Sequence, residues 1–149
     1  MSAPKPIPSL FGRFTAILQD HEHLAKTLRR IREMCSALDN RQALLPPQLA
    51  PDALLPELRK ELAAHFDAEE SAAYFGVVLD EQPSLTRQIA GLKWEHMAML
   101  QTVDMLAQLA TDRGEWSHLA ALTRKLVAEL ERHERSESSL LRGFSLPST

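Results

Sequence analysis

The sequence has little of several features that mark other classes of protein. Its 149 residues include one cysteine, Cys35, which cannot form an internal disulfide and so favours a reducing compartment. Because 17 basic residues are set against 20 acidic ones, the basic patch of a nucleic-acid-binding protein is not expected. No stretch approaches the roughly 18 apolar residues of a membrane span, and the N-terminus lacks the apolar run of a secretory signal. We therefore expect a cytoplasmic protein that binds neither nucleic acid nor membrane.

The sequence also lacks the alternation of apolar and polar residues that marks a β-strand. Apolar residues instead recur every three or four positions in four segments, as one face of a helix requires. The length suits a single domain with a substantial core. We divide the chain into a proline-containing arm at residues 1–9, a helical metal-binding domain at residues 10–142, and a short tail at residues 143–149.

The first two predicted helices are separated by a proline-rich break. The first helix covers residues 10–38 and the break covers residues 39–55. The second helix starts near Pro56, because proline is tolerated in a first turn, and ends at about Leu79. Its predicted inward face carries Leu58, Leu62, His65, Glu69, Ala72 or Ala73, and Gly76. We interpret the small residues after Glu69 as a close helix contact, with a small cavity or access route as the alternative.

The last two predicted helices have clearer start and stop signals. Ser84 is a suitable N-cap for a third helix that ends near Thr111, because its side-chain oxygen can accept from free backbone N–H groups. The fourth helix covers residues 115–141, and Gly143 is predicted to end it. Short loops favour antiparallel neighbours. The expected fold is therefore all-α, an up-down-up-down antiparallel four-helix bundle.

Each predicted helix places one histidine on its apolar face. At about 1.5 Å of rise per residue, the four histidines agree in height within roughly 9 Å in such a bundle. In two helices a glutamate follows four residues later, which brings both side chains to one face. A buried carboxylate without a partner is costly, so this set predicts a bound cation. The candidate ligands are His21, His65, Glu69, His96, His133 and Glu137.

These donors suit two iron ions, although zinc, manganese or copper also accept imidazole and carboxylate. The other two histidines, His23 and His118, fall off the apolar faces and are predicted to lie on the surface. The main alternative on the first helix is that His23 takes the role assigned to His21.

The chain resembles the hemerythrin-like (HHE) domain family over roughly residues 10–142. The resemblance lies in four segments in the family's order, DHEHL, HFDAEE, WEHMAML and HERSE, which start at residues 20, 65, 94 and 133. It implies a hemerythrin-like bundle with a non-haem di-iron centre. Glu69 and Glu137 would then be bridging carboxylates, and the histidine ligands would be His21, His65, His96 and His133.

The sequence departs from the oxygen-carrying hemerythrins at the third helix. Those proteins have two histidines four residues apart there, whereas Leu92 and Leu100 stand at those offsets from His96. The chain is more similar to four-histidine members of the family, such as the iron-sensing domain of a eukaryotic ubiquitin-ligase subunit. More coordination positions are then open to small ligands. A substitute oxygen ligand would have to come from a nearby carboxylate such as Glu70, Glu95 or Glu134.

Three functional hypotheses follow. We favour a non-enzymatic protein that binds or senses dioxygen or a similar small diatomic. The first alternative is an iron-dependent redox or repair factor that reduces peroxide or nitric oxide, or donates iron. The second is a structural bundle with a zinc-filled or degenerate site. The sequence identifies no protein partner.

Overall fold

A computed structural model describes the backbone of residues 10–40 and 45–145 and the side chains of residues 22–40 and 45–140. These ranges contain no strand, which confirms the all-α prediction. The helices are α1 (Leu10–Asp39), α2 (Pro51–Glu70), α3 (Phe75–Glu81), α4 (Thr86–Leu109) and α5 (Trp116–Ser145). Single 3-10 turns lie at Pro47–Leu49, Pro83–Leu85 and Arg113–Glu115. The predicted arm and the end of the predicted tail lie outside the described residues, so the division of the chain stays a prediction.

Contacts between α1 and α2 show that these two helices are antiparallel. His23 Nε2 lies 3.1 Å from Glu61 Oε1, whereas Arg30, later in α1, donates to Glu57, earlier in α2, over 3.1 Å. The order of contacting residues is therefore reversed along the two helices. Because α5 packs against both α4 and α1, the four long helices close into a bundle in the order α1, α2, α4, α5.

The same reversal relates α2 to α4. Arg59 near the middle of α2 donates to Asp104 near the end of α4 over 3.0 Å. Glu70 at the end of α2 instead meets His96 in the first half of α4, with 3.1 Å between Glu70 Oε2 and His96 Nδ1. These contacts confirm the predicted up-down-up-down arrangement of the long helices.

The predicted second helix is wrong at both ends. α2 begins at Pro51, whose missing N–H is not needed in a first turn, and Pro56 therefore lies inside the helix. Pro56 leaves the carbonyl of Asp52 without its helical donor, but both residues are exposed, so that carbonyl is open to water. At the other end, α2 stops at Glu70, and Ser71 Oγ donates to the Ala68 carbonyl over 2.7 Å.

The early end of α2 changes which side chains face the core. Ala72 and Ala73, predicted to point inward, are exposed, while Tyr74 and Phe75 are buried. In an unbroken helix Tyr74 would lie about 140° around the axis from Glu69, away from the bundle interior. The turn between α2 and α3 therefore brings an aromatic pair inward where the sequence predicted a stripe of small residues.

Two other predicted helix ends are also wrong. Ser84 does not cap α4, because Pro83 starts a 3-10 turn that includes Ser84, and Thr86 Oγ1 donates to the Pro83 carbonyl over 2.6 Å. Gly143 does not end α5, which continues to Ser145. Glycine accepts helical dihedrals as readily as left-handed ones, so its presence does not oblige a helix to stop.

Two apolar clusters form the core. The larger one draws on all four long helices and includes Ile31, Met34, Leu54, Leu58, Leu106 and Leu126. The smaller one consists of Tyr74, Phe75, Val78, Ile89 and Leu92. The imidazole of His96 stacks on Phe66 of the larger cluster, with centroids 3.9 Å apart, and on Phe75 of the smaller cluster at 6.0 Å. A polar layer therefore lies between the two clusters.

Cys35 is 1% exposed and lies in the larger cluster. Burial raises the pKa of its thiol to about 11, so the thiol stays protonated near neutral pH. Its Sγ lies 3.7 Å from the Ala120 carbonyl oxygen. Within the described part of the chain, no helix is both long and apolar enough to cross a membrane.

Candidate metal centre

The polar layer contains five of the six residues predicted as ligands. They are supplied by α2, α4 and α5 and are at most 5% exposed: His65, Glu69, His96, His133 and Glu137. The sixth, His21, belongs to α1, but its side chain lies outside the described residues, so its contribution stays a prediction. The structure thus brings together every predicted ligand whose side chain it describes.

His96 and His133 point their inner ring nitrogens at each other. Their Nε2 atoms are 3.0 Å apart. On the outer sides of the rings, His96 Nδ1 lies 3.1 Å from Glu70 Oε2, and His133 Nδ1 lies 2.5 Å from Glu95 Oε2. Since a carboxylate accepts hydrogen bonds, each Nδ1 carries a proton and donates it, which leaves the Nε2 lone pairs facing each other. A positive charge between the rings, from a proton or a metal ion, would stabilise this arrangement.

The pKa shifts of this pair agree with one shared positive charge. Burial lowers the pKa of His96, against the effect of the Glu70 carboxylate. Burial acts on His133 in the same direction, but the carboxylates of Glu137 and Glu95 outweigh it and raise the pKa of His133. Besides the proton on each Nδ1, the two Nε2 atoms can share one further proton, and a metal ion would take the place of that shared proton.

Glu69 and Glu137 place two fully buried carboxylates in the same layer. Glu69 Oε1 lies 2.5 Å from His65 Nε2, and Glu69 Oε2 lies 3.9 Å from His96 Nε2. Glu137 Oε2 lies 3.4 Å from His133 Nε2. Burial raises the pKa of Glu69 to about 9, and the nearby Glu137 adds to this shift while His65 opposes it. Two carboxylates at this depth are costly unless a cation lies close to them.

The donor atoms fit a metal ion. Both Glu69 oxygens are buried, Oε1 against His65 Nε2 and Oε2 toward His96 Nε2, and a cation between these donors would satisfy them. One donor atom from each of Glu69, His96, His133 and Glu137 lies within 4.8 Å of the others. Ligands bound at about 2.1 Å lie about 3 Å apart when adjacent and about 4 Å apart when opposite. The observed spacing is therefore close to that of ligands around one ion.

A second group of donors shares Glu69 with the first. One donor atom from each of His65, Glu69 and Glu134 again lies within 4.8 Å of the others. Burial alone would lower the pKa of His65, but the carboxylates of Glu134 and Glu69 raise it to about 10. The layer thus contains two adjacent donor groups that share one carboxylate, Glu69.

Comparison with protein-family models matches residues 14–145 to the hemerythrin HHE cation-binding domain. The chain belongs to this family. Searches of curated proteins and of solved structures found no match. Membership confirms the resemblance and the hemerythrin-type bundle, and it assigns the domain a cation-binding role. The matched range includes each predicted ligand position of the HHE domain, His21 among them.

Tyr74 is a residue of the HHE domain's polar layer that the sequence analysis missed. It is 2% exposed, and its hydroxyl donates a hydrogen bond to Glu137 Oε1 over 3.2 Å. Burial and the nearby carboxylates, Glu137 foremost, raise the pKa of Tyr74, so the hydroxyl stays protonated and remains a donor. The available signal was the aromatic pair Tyr74–Phe75, which stands two alanines after Ser71 and fits poorly on a helix face lined by small residues.

The surface histidines of the HHE domain lie where they were predicted. The side chain of His23 is 70% exposed and contacts Glu61, away from the polar layer. His118 is also exposed. His23 therefore does not take the role assigned to His21.

Proposed function

We propose that this HHE domain is a non-haem di-iron protein that binds or senses dioxygen or a similar small diatomic. The observation that carries the proposal is the pair of adjacent donor groups that share the buried Glu69. One ion would be held by Glu69, His96, His133 and Glu137. The other would be held by His65, Glu69 and, from α1, His21. Glu69 and Glu137 are the candidate bridges, and we keep the cytoplasm as the proposed compartment.

Iron is the metal that we favour for this donor set. The described donors of the layer are imidazole nitrogens and carboxylate oxygens without a thiolate, a combination found in non-haem iron sites but also open to zinc and manganese. A reduced iron pair would supply the electrons and the open coordination positions that a diatomic ligand needs. The protein supplies the ligands, their orientation and the apolar surroundings.

The surroundings of the layer favour binding of a small apolar ligand over acid–base chemistry. Phe66, Leu62 and Leu130 are at most 1% exposed and line the bundle beside the donors. Such walls disfavour anions and bulky polar substrates. Tyr74 adds a hydroxyl beside Glu137, but its raised pKa makes it a hydrogen-bond donor and a poor base. These features support a binding or sensing role more than a hydrolase or a transferase.

An anaerobic titration with Fe²⁺, followed by mixing with oxygen and separately with peroxide, tests the proposal by absorbance. We expect saturation at two iron ions per chain and a spectral change with oxygen that reverses when the gas is removed. Repeated turnover of peroxide would instead favour the redox enzyme. Failure to retain iron, together with retention of zinc, would favour the structural bundle.

A further inference from the structure

Three glutamates that neighbour predicted ligands in the sequence each reach a histidine on another helix. The pairs are Glu70 with His96, Glu95 with His133, and Glu134 with His65. The three contacts connect α2 to α4, α4 to α5, and α5 to α2. The three glutamates differ in which ring nitrogen they face.

Glu70 and Glu95 face the outer nitrogen, Nδ1, of their histidines. In that position a carboxylate holds the ring in one orientation and tautomer, and leaves Nε2 free to bind a metal. Their side chains are 33% and 51% exposed, as expected for groups on the outer side of the layer. Neither carboxylate is placed as a donor to an ion inside the bundle.

Glu134 faces the inner nitrogen instead. Its Oε1 lies 3.5 Å from His65 Nε2, the same atom that lies 2.5 Å from Glu69 Oε1. The Glu134 side chain is 22% exposed, less than Glu70 or Glu95. One donor atom from each of Glu134, His65 and Glu69 falls within 4.8 Å of the others, so all three can reach one ion.

From this geometry we propose that Glu134 is a further ligand, on the His65 side of the centre. The inference rests on the proposed function, since it assumes two ions that share Glu69. Position 100 is a leucine and supplies no donor from α4, and Glu134 of α5 supplies an oxygen instead. A carboxylate in place of an imidazole adds a negative charge and a harder donor, which favours a harder ion at this position. The two ions are therefore held unequally.

Titration of the metal-free full-length protein with Co²⁺ tests this role, because the visible d–d absorption of Co²⁺ strengthens when it loses a ligand. Glu134→Gln keeps the side-chain volume, and Glu134→Ala removes every donor atom. Glu95→Gln is the matched control, because Glu95 acts through His133 Nδ1. In both Glu134 variants we expect the first Co²⁺ to bind normally. The second should bind at least about 10-fold more weakly, with stronger d–d absorption in Glu134→Ala.

The control separates a ligand from a positioning residue. Glu95→Gln should also weaken metal binding by about 10–100-fold, but at the His96–His133 side. It should leave the d–d spectrum of the ion beside His65 unchanged. If Glu134→Ala bound two Co²⁺ ions with the wild-type spectrum, Glu134 would not be a ligand, and the dinuclear site itself would be unaffected. A wild-type protein that binds fewer than two Co²⁺ ions would overturn the dinuclear site and this inference with it. Circular dichroism of each metal-free variant checks the fold, and Glu134→Gln keeps the test decisive if Glu134→Ala does not fold.

Discussion

The two sides of the polar layer are built differently. On one side, the rings of His96 and His133 are oriented by Glu70 and Glu95, and their inner nitrogens already lie 3.0 Å apart. On the other side, His65 directs Nε2 at two carboxylates and carries a pKa raised to about 10. An ion displaces a proton on either side, but only on the first side do two imidazoles, each oriented by an outer carboxylate, already converge on one point. We therefore expect the two ions to bind in sequence, the first on the His96–His133 side.

Glu69 joins the two sides, so its loss should have the largest effect. In Glu69→Gln we expect at most one ion per chain and loss of most of the rise in melting temperature that metal gives the wild type. The metal-free protein should be as stable as the wild type or more stable, because burial of this carboxylate is costly. Elemental analysis and thermal melts with and without Fe²⁺ measure both quantities.

The control for Glu69→Gln is Glu61→Gln, because Glu61 lies on the same helix and contacts exposed His23. That variant should keep both ions. Two ions retained by Glu69→Gln would show that the two donor groups do not depend on a shared carboxylate.

Removing an outer carboxylate should weaken one side only. Glu70→Gln should lower the affinity for the first ion by about 10–100-fold, because a neutral amide replaces the charged acceptor that fixes the tautomer of the His96 ring. Competition with a chromophoric chelator measures this affinity. Glu131→Gln changes a surface ion pair with Arg32 and is the control, with no expected change. An equal loss of affinity for both ions would contradict the separation of the two sides.

Tyr74→Phe should have a smaller effect, because it removes one hydrogen bond to Glu137 and leaves the aromatic packing in place. A hydrogen bond of about 0.5–1.5 kcal/mol corresponds to a loss of up to about 10-fold in metal affinity. A chelator should also extract the metal faster from Tyr74→Phe than from the wild type. Val78→Ala perturbs the same apolar cluster but removes no hydrogen-bonding group, so it should lower stability while it preserves affinity. An affinity unchanged in Tyr74→Phe would show that the hydroxyl does not position Glu137.

The smallest effect is expected for His23→Ala. His23 is 70% exposed, and loss of its contact with Glu61 should change stability by less than about 1 kcal/mol and leave the metal content unchanged. His21→Ala should instead lower the metal content on the His65 side. Elemental analysis of both variants under identical loading measures the difference, and a reversed result would reassign the ligand of α1.

The parts of the site that follow from helical periodicity could be predicted from the sequence. His65 with Glu69, and His133 with Glu137, are four residues apart, and this spacing alone brings each pair to one buried face. The order and antiparallel arrangement of the long helices followed from the same periodicity and from short loops.

The parts that depend on local backbone turns or on ring orientation could not be predicted. The end of α2 at Glu70, and with it the inward position of Tyr74, depends on hydrogen bonds around Ser71 that no periodicity encodes. The sequence marked Glu70, Glu95 and Glu134 as nearby carboxylates. It could not say which nitrogen of a neighbouring imidazole each one faces, because that depends on side-chain packing between helices.

The iron content of the chain after anaerobic loading with Fe²⁺ and removal of excess metal is the decisive test of a dinuclear centre in this HHE domain. We expect two iron ions per chain, with the second lost first when a chelator is added. An iron content well below one per chain, in protein whose circular dichroism shows an intact bundle, would contradict it.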